Sequence, residues 1–187
     1  MELFSGLFSA LGLSGAAGLN AYIPLLVVGA LSHLGVMHLA HSYDVIANPY
    51  FMLVVGIFAA LDFVGDKIPG LDHTIHLLGG VLNTAAGAVL FASQSGIADI
   101  PAPLKLALGL VVAGGIHATR TAIRPVATMT TAGLGNPVVS AAEDASSLTL
   151  SVLAVFAPIL AVLGLAGFGM VAYRMYARFG GGRRRAL

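Results

Sequence analysis

From Pro49 to Leu61 the chain reads PYFMLVVGIFAAL, a stretch without one charged side chain. A helix made of such residues has no face suited to water, and several runs like it follow one another along the 187 residues. Charged residues make up 9% of the chain, against about 25% in an ordinary soluble domain; 58% is hydrophobic and mean hydropathy is +0.94. Too few charges are present to clothe a water-facing surface. The pattern predicts an integral membrane protein.

In lipid the backbone must satisfy its own polar groups, which leaves helices or a closed barrel. Nothing in the chain alternates as barrel strands do. The expected fold is therefore all-α: a polytopic membrane helix bundle with six or seven transmembrane helices. A spanning helix needs about 20 apolar residues, and the candidates are 20–36, 49–67, 74–93, 104–124, 137–156 and 158–177. A shorter run, 3–15, is a seventh, either a short span or a re-entrant piece. Turn signals stand between them at 41–49, 69–73, 93–103 and 124–137. The last two candidates are parted only by Phe156–Ala157–Pro158, so 137–177 reads either as two spans or as one helix kinked at Pro158. The first residues resemble a signal peptide, but they carry Glu2 and no Lys or Arg, so they are read as part of the mature protein.

Basic residues flank cytoplasmic helix ends. Alternating seven segments, with the Arg-rich C-terminus inside, puts Lys67, Arg120, Arg124, Arg174, Arg178 and Arg183–Arg185 on the cytoplasmic side and leaves only Lys105 opposite. The expected organisation is one transmembrane domain over 1–178 and a basic cytoplasmic tail over 179–187, in a bacterial inner membrane. With no cysteine, disulfides and thiolate metal sites are excluded. The net charge of +1 and the single short basic run argue against nucleic acid as a partner. No cofactor is implied, the partners expected are the lipid bilayer and a small-molecule or ion solute, and homo-oligomerisation is left open.

The segments AGLN (17–20) and AGLGN (132–136) each precede a proline by a few residues or none. Aligned, they suggest an internal repeat of three helices, one linking helix and three more, as in transporters built from repeats. Gly-rich chains also produce such matches by chance.

Polar residues gather at a few places. Asp62 and Asp66, four apart, share a helix face beside Lys67. A carboxylate more than a turn inside a span is costly unless paired or hydrated. His117, Arg120 and Arg124 share another face, suited to clamping an anion or to neutralising the acids; snorkelling is the plain alternative for Arg124. Asn136–Pro137 suit a helix start, followed by the stripe Ser140, Glu143, Asp144, Ser147 and Ser151. Asp72, His76 and Asn83 share a face with His73 nearby; Asp72, His73 and His76 are weak metal candidates, with interfacial hydrogen bonding the simpler account. Helix alternation puts Asn20, Asp62, Asp66, Lys67, His73, His117, Arg120, Arg124, Asn136, Glu143 and Asp144 in one membrane half. A polar, charge-balanced cavity opening to the cytoplasm is the expectation.

Four ordered segments, GLNAYIPLL, DKIPGLDH, HATRTAIRP and GLGNPVVSAAED, resemble the signature segments of the bacterial domain-of-unknown-function family numbered 4126. The resemblance covers about residues 10–165 and implies a small integral membrane protein, without an activity. It points to Asn20, Asp66, Lys67, Pro69, Asp72, His117, Arg120, Arg124, Pro125, Asn136, Pro137, Ser140, Glu143 and Asp144. The residues favour a transporter or channel for a small anionic or proton-coupled solute. The alternatives are a membrane-embedded enzyme acting on a lipid or phosphorylated substrate at the cytoplasmic face, and a structural or assembly protein.

Overall fold

The structure is a computed structural model that describes residues 2–65, 72–131 and 135–179, with side chains at 2–65, 79–125, 135–171, 173 and 174. Among the described residues the chain is mostly helical: α1 (Glu2–Leu19), α2 (Tyr22–His33), α3 (Pro49–Gly65), α4 (Asp72–Ala92), α5 (Ala102–Thr131), α6 (Asn136–Phe156) and α7 (Pro158–Phe179). Short 3-10 turns lie at His41–Ala47 and Ser95–Ile97.

The first helix is the axis of the bundle. Ten of its residues are buried, among them Ser9, Gly12, Leu13, Ser14, Gly15 and Gly18, and α4, α5, α6 and α7 all pack on it. Small residues let the backbones come this close. A Cβ at Gly12 would lie 2.7 Å from the Ala154 Cβ and 2.8 Å from the Ala161 Cβ, and one at Gly18 would lie 2.6 Å from the Ala113 carbonyl oxygen. The same holds between α4 and α5, where a Cβ at Gly109 would come within 2.6 Å of the Ala88 Cα.

Contacts along α1 fix the direction of each neighbour. On α6, Ala154 faces Gly12, Ser147 meets the Ala16 carbonyl and Asp144 meets Asn20, so the two helices are antiparallel. On α5, Gly109 pairs with Ser14 and Arg120 with Leu19, so these two are parallel. The antiparallel sense also holds for α4, through Ser9–Gln94 and Ala21–Asn83. Chain direction therefore alternates over α4, α5 and α6, with α5 running parallel to α1. Lys105, the one basic residue left on the other side, is 6% exposed and packed in the protein. It is not a loop charge.

Several boundaries differ from the sequence expectation. The run at 3–15 extends through Leu19. The candidate at 20–36 stops at His33, where Gly35 (φ +73°) closes a Schellman turn: its N–H donates to the Ser32 carbonyl and that of Val36 to the Leu31 carbonyl. The expected turn at 124–137 begins late, because α5 runs through Pro125 to Thr131. Proline removes only the hydrogen bond to Thr121 O, a loss that a long helix absorbs. The choice at 137–177 falls to two helices. Ala157 (φ −145°, ψ 68°) reverses the chain, and Gly164 and Phe168 return to pack on Leu150.

Outward surfaces are apolar. Leu53, Ile57, Phe58 and Leu61 of α3 are all more than half exposed, and α3 packs on α2 and the first 3-10 turn while only grazing α4. Such a surface belongs in a membrane. By length and apolarity, three helices among the described residues suffice to cross one: α1, Ala102–Pro125 of α5, and α6. The first 3-10 turn and α3, bent by 58°, make a fourth if taken as one broken span. Helix lengths lend the proposed repeat no support, since α1–α3 have 18, 12 and 17 residues and α5–α7 have 30, 21 and 22.

Two glycines on one helix test this packing. Gly109→Val should cost about 1–3 kcal/mol by overpacking. Gly115→Ala, where nothing lies within 4 Å, should stabilise by about 0.5–1 kcal/mol through helix propensity. Detergent-phase unfolding of the two variants reads the contrast; equal effects would contradict the packing of α4 on α5.

Candidate functional site

Helix α1 ends at Leu19 and α2 starts at Tyr22, so the chain breaks at Asn20–Ala21 and turns back. A break leaves the last carbonyls of one helix and the first N–H groups of the next without helical partners. This one does not lie at the end of the bundle. Its partners sit far inside their own helices: Asn83 has 11 residues of α4 before it, Arg120 has 11 of α5 after it, and Asp144 has eight of α6 before it. At about 1.5 Å per residue, the neighbouring helices run on for about 12–16 Å past the break. The tip of the α1–α2 hairpin lies roughly midway along α4.

Side chains from three other helices supply what the break lacks. Arg120 Nη1 donates to the Leu19 carbonyl at 2.6 Å. Ser147 Oγ donates to the carbonyls of Ala16 (3.0 Å) and Asn20 (3.4 Å). The Ala21 N–H donates to Asn83 Oδ1 at 3.0 Å. Asn20 caps the new helix itself, its Oδ1 accepting from Tyr22 N (2.9 Å) and Ile23 N (3.3 Å), while its Nδ2 donates to Asp144 Oδ1 at 2.9 Å. Short polar side chains favour such caps.

Charge is concentrated behind this scaffold. Glu143 Oε2 lies 2.7 Å from Arg120 Nε and 2.8 Å from Arg124 Nη2, and the three side chains are 11%, 15% and 22% exposed. Arg124 donates a directed hydrogen bond. Arg120 Nε–H is not aligned on the carboxylate, so its contact is Coulombic rather than directional. With Asp144, which Asn20 ties to the break, two positive and two negative side chains of the group are among the described residues.

His117 joins through Asn83. Because Asn83 Oδ1 accepts from Ala21, its Nδ2 faces His117 Nδ1 at 3.4 Å. That assignment makes Nδ1 an acceptor and leaves the proton of a neutral ring on Nε2, which lies 3.4 Å from Thr121 Oγ1. Gly80 makes room for the ring, since a Cβ there would come within 2.9 Å of Nε2.

Of the residues expected from sequence, the structure gathers Asn20, His117, Arg120, Arg124, Glu143 and Asp144. Ser140 is buried one turn before Glu143 and Asn136 opens α6; both are engaged in interactions of their own. Asp62 is half-buried on α3, which packs on α2, and it too is engaged. Asp66, Lys67 and Pro69 lie outside the described residues, as do the side chains of Asp72, His73 and His76. Among the described residues no three His, Asp or Glu side chains come together to hold a metal. His41 and Asp44 pair at 2.8 Å in the loop at the opposite end of the bundle.

Sequence reasoning passed over Asn83 as a site residue, together with the backbone carbonyls of Ala16 and Leu19. Only knowing that AGLN breaks a helix in the interior would have found them. It also missed the polar-lined cavity of about 520 Å³ at the far end of α1, bordered by Glu2, Ser5, Ser9, His38, Gln94 and Ser95.

Three substitutions grade the network. Arg120→Ala strands both the Leu19 carbonyl and part of the Glu143 charge, and should cost about 3–5 kcal/mol. Ser147→Ala should cost about 1–2 kcal/mol. Thr149→Ala, exposed and bonded within its own helix, should stay within about 0.5 kcal/mol of wild type. Unfolding in detergent ranks them; an Arg120→Ala variant as stable as Thr149→Ala would refute the role given to Arg120.

No curated protein and no solved structure matches the chain. A family model described as "Domain of unknown function (DUF4126)" matches residues 7–178, nearly the whole of it. The segments GLNAYIPLL, HATRTAIRP and NPVVSAAED meet at the helix break, and the chain that carries them belongs to the family DUF4126.

Proposed function

We propose that this protein is a multi-pass transporter or channel of a bacterial inner membrane, for a small, anionic solute, with its C-terminus in the cytoplasm. The observation that carries the reading is the hairpin tip at Asn20–Ala21, ringed midway along α4 by two arginines and two carboxylates. Ionisable groups at such depth are expensive to a protein that only anchors or assembles, and transport is the use that most often sustains them. Broken helices near mid-bundle are also how transporters present backbone groups and charges to a solute.

On this reading α1 and α2 enter and leave from the non-cytoplasmic side as a hairpin, and α3 to α7 cross the bilayer. The arginines hold the solute. The polar-lined cavity at the far end of α1 offers an approach from the outer face. The protein then carries solute between that cavity and the charged group by rearranging the hairpin against α5 and α6.

Formate uptake into proteoliposomes tests this. Purified wild-type protein should carry formate above the rate of empty vesicles. Arg124→Lys, which keeps the charge and loses the fork of donors, should lower that rate about tenfold, the equivalent of about 1.4 kcal/mol, with melting unchanged. Absence of wild-type uptake, or product formed from lipid by the protein in detergent, would remove the transport reading and favour the embedded enzyme.

A further inference from the structure

A guanidinium carries five N–H donors, and a carboxylate accepts through two oxygens. At the break, Arg120 Nη1 is fixed to the Leu19 carbonyl at 2.6 Å. Glu143 Oε2 accepts from Arg124 Nη2 at 2.8 Å and lies 2.7 Å from Arg120 Nε. Two atoms of this pair are left over. Arg120 Nη2 and Glu143 Oε1 make no hydrogen bond in the protein. Nor are they sealed in: among the described residues, the enclosed side-chain atom without a hydrogen bond is Arg120 Nε. The two side chains keep 15% and 11% of their surface. Nη2 and Oε1 therefore border open space.

The atoms on that border select what can fill it. Nη2 shares Cζ with Nε, Oε1 shares Cδ with Oε2, and Nε and Oε2 are 2.7 Å apart, so one small molecule can touch both. Nη2 only donates, and a carboxylate oxygen only accepts. An anion made of bare acceptor oxygens satisfies Nη2 but meets Oε1 with like charge. A neutral donor satisfies Oε1 but withholds from Arg120 the charged acceptor that binds it best. A monovalent oxyanion that still carries an O–H, such as hydrogencarbonate or dihydrogen phosphate, does both. We infer that the solute held at the break is an oxyanion of this class, a bare oxygen accepting from Arg120 Nη2 and its O–H donating to Glu143 Oε1. That the solute is an anion rests on the transport reading; the need for a hydroxyl is added by Arg120 and Glu143.

Both recognising groups are held before a solute arrives. The Leu19 carbonyl fixes the guanidinium through its other terminal nitrogen, and Arg124 fixes the carboxylate through its other oxygen. Neither has to be ordered by the solute, which lowers the cost of binding. No covalent bond changes, and the solute keeps its proton. Formate, which has no hydroxyl, binds through the arginine alone and is the weaker ligand.

Hydrogencarbonate and nitrate are the probes. Both are planar and singly charged, and only the first has an O–H. Full-length protein in detergent is titrated with each in a calorimeter, sealed and at mildly alkaline pH. Wild type should bind hydrogencarbonate at least about tenfold more tightly than nitrate, the margin that one hydrogen bond to a charged acceptor supplies. Glu143→Gln, close in shape, can turn an amide N–H to the solute and should abolish the preference. The wild-type comparison stands even if that variant does not fold. Equal affinities or tighter nitrate binding in wild type would overturn the inference, as would a preference that survives in Glu143→Gln. So would failure of both anions to bind, the result expected if water alone fills the space. Preference for hydrogencarbonate without formate flux in proteoliposomes would keep the site and remove the transport reading. Formate flux without the preference would keep transport and remove the hydroxyl requirement.

Discussion

The fold turns on one hydrogen bond acceptor, the Leu19 carbonyl, and the guanidinium of Arg120 that reaches it at 2.6 Å. A helix that stops inside an apolar bundle leaves polar groups that water cannot serve, each worth several kcal/mol if abandoned. The protein keeps the break and surrounds it with donors and acceptors from α4, α5 and α6. Once Arg120 is committed to the carbonyl, its charge needs a counter-ion, and Glu143 supplies it. Arg124 then shares the same oxygen. The charges and the break therefore explain one another.

That arrangement sets demands on the rest of the chain. Asn83, Arg120 and Ser147 can reach the break only if α4, α5 and α6 lie close against α1, and the glycines and alanines along these helices make the approach. Serines finish the seams: Ser14 donates to the Gly109 carbonyl and Ser9 to Gln94. Helix α3 turns large apolar side chains outward. Small and polar residues line the closest seams between helices, while large apolar ones also cover much of the outer surface.

Much of this was legible in the sequence. Apolar runs and sparse charge gave the helical class, and the placement of basic residues gave the alternating chain direction that the contacts of α1 display. Helix alternation put Asn20, His117, Arg120, Arg124, Glu143 and Asp144 in one membrane half, and the structure brings these six together around the break. Three things were not legible. The run at 3–15 looked marginal because Gly and Ser dilute its hydropathy, yet those residues are what suit it to the centre. Pro125 looked like a helix end, although a helix supported by its neighbours tolerates the lost bond. Asn83 looked like one more polar residue on the face it shares with Asp72 and His76, because the sequence does not show that a helix breaks beside it.

The account depends on depth: the break must lie within the bundle's middle and not at a membrane surface. The chain has no cysteine, so single cysteines can carry a nitroxide without background. A label at Ser146, exposed on α6 beside the Ser147 that binds the broken backbone, measures the depth of the network in a bilayer by its collision rates with oxygen and a polar nickel complex. The account predicts a depth near the bilayer centre for Ser146 and a headgroup depth for a label at Val36, in the turn after α2. Headgroup depth at Ser146 would contradict it.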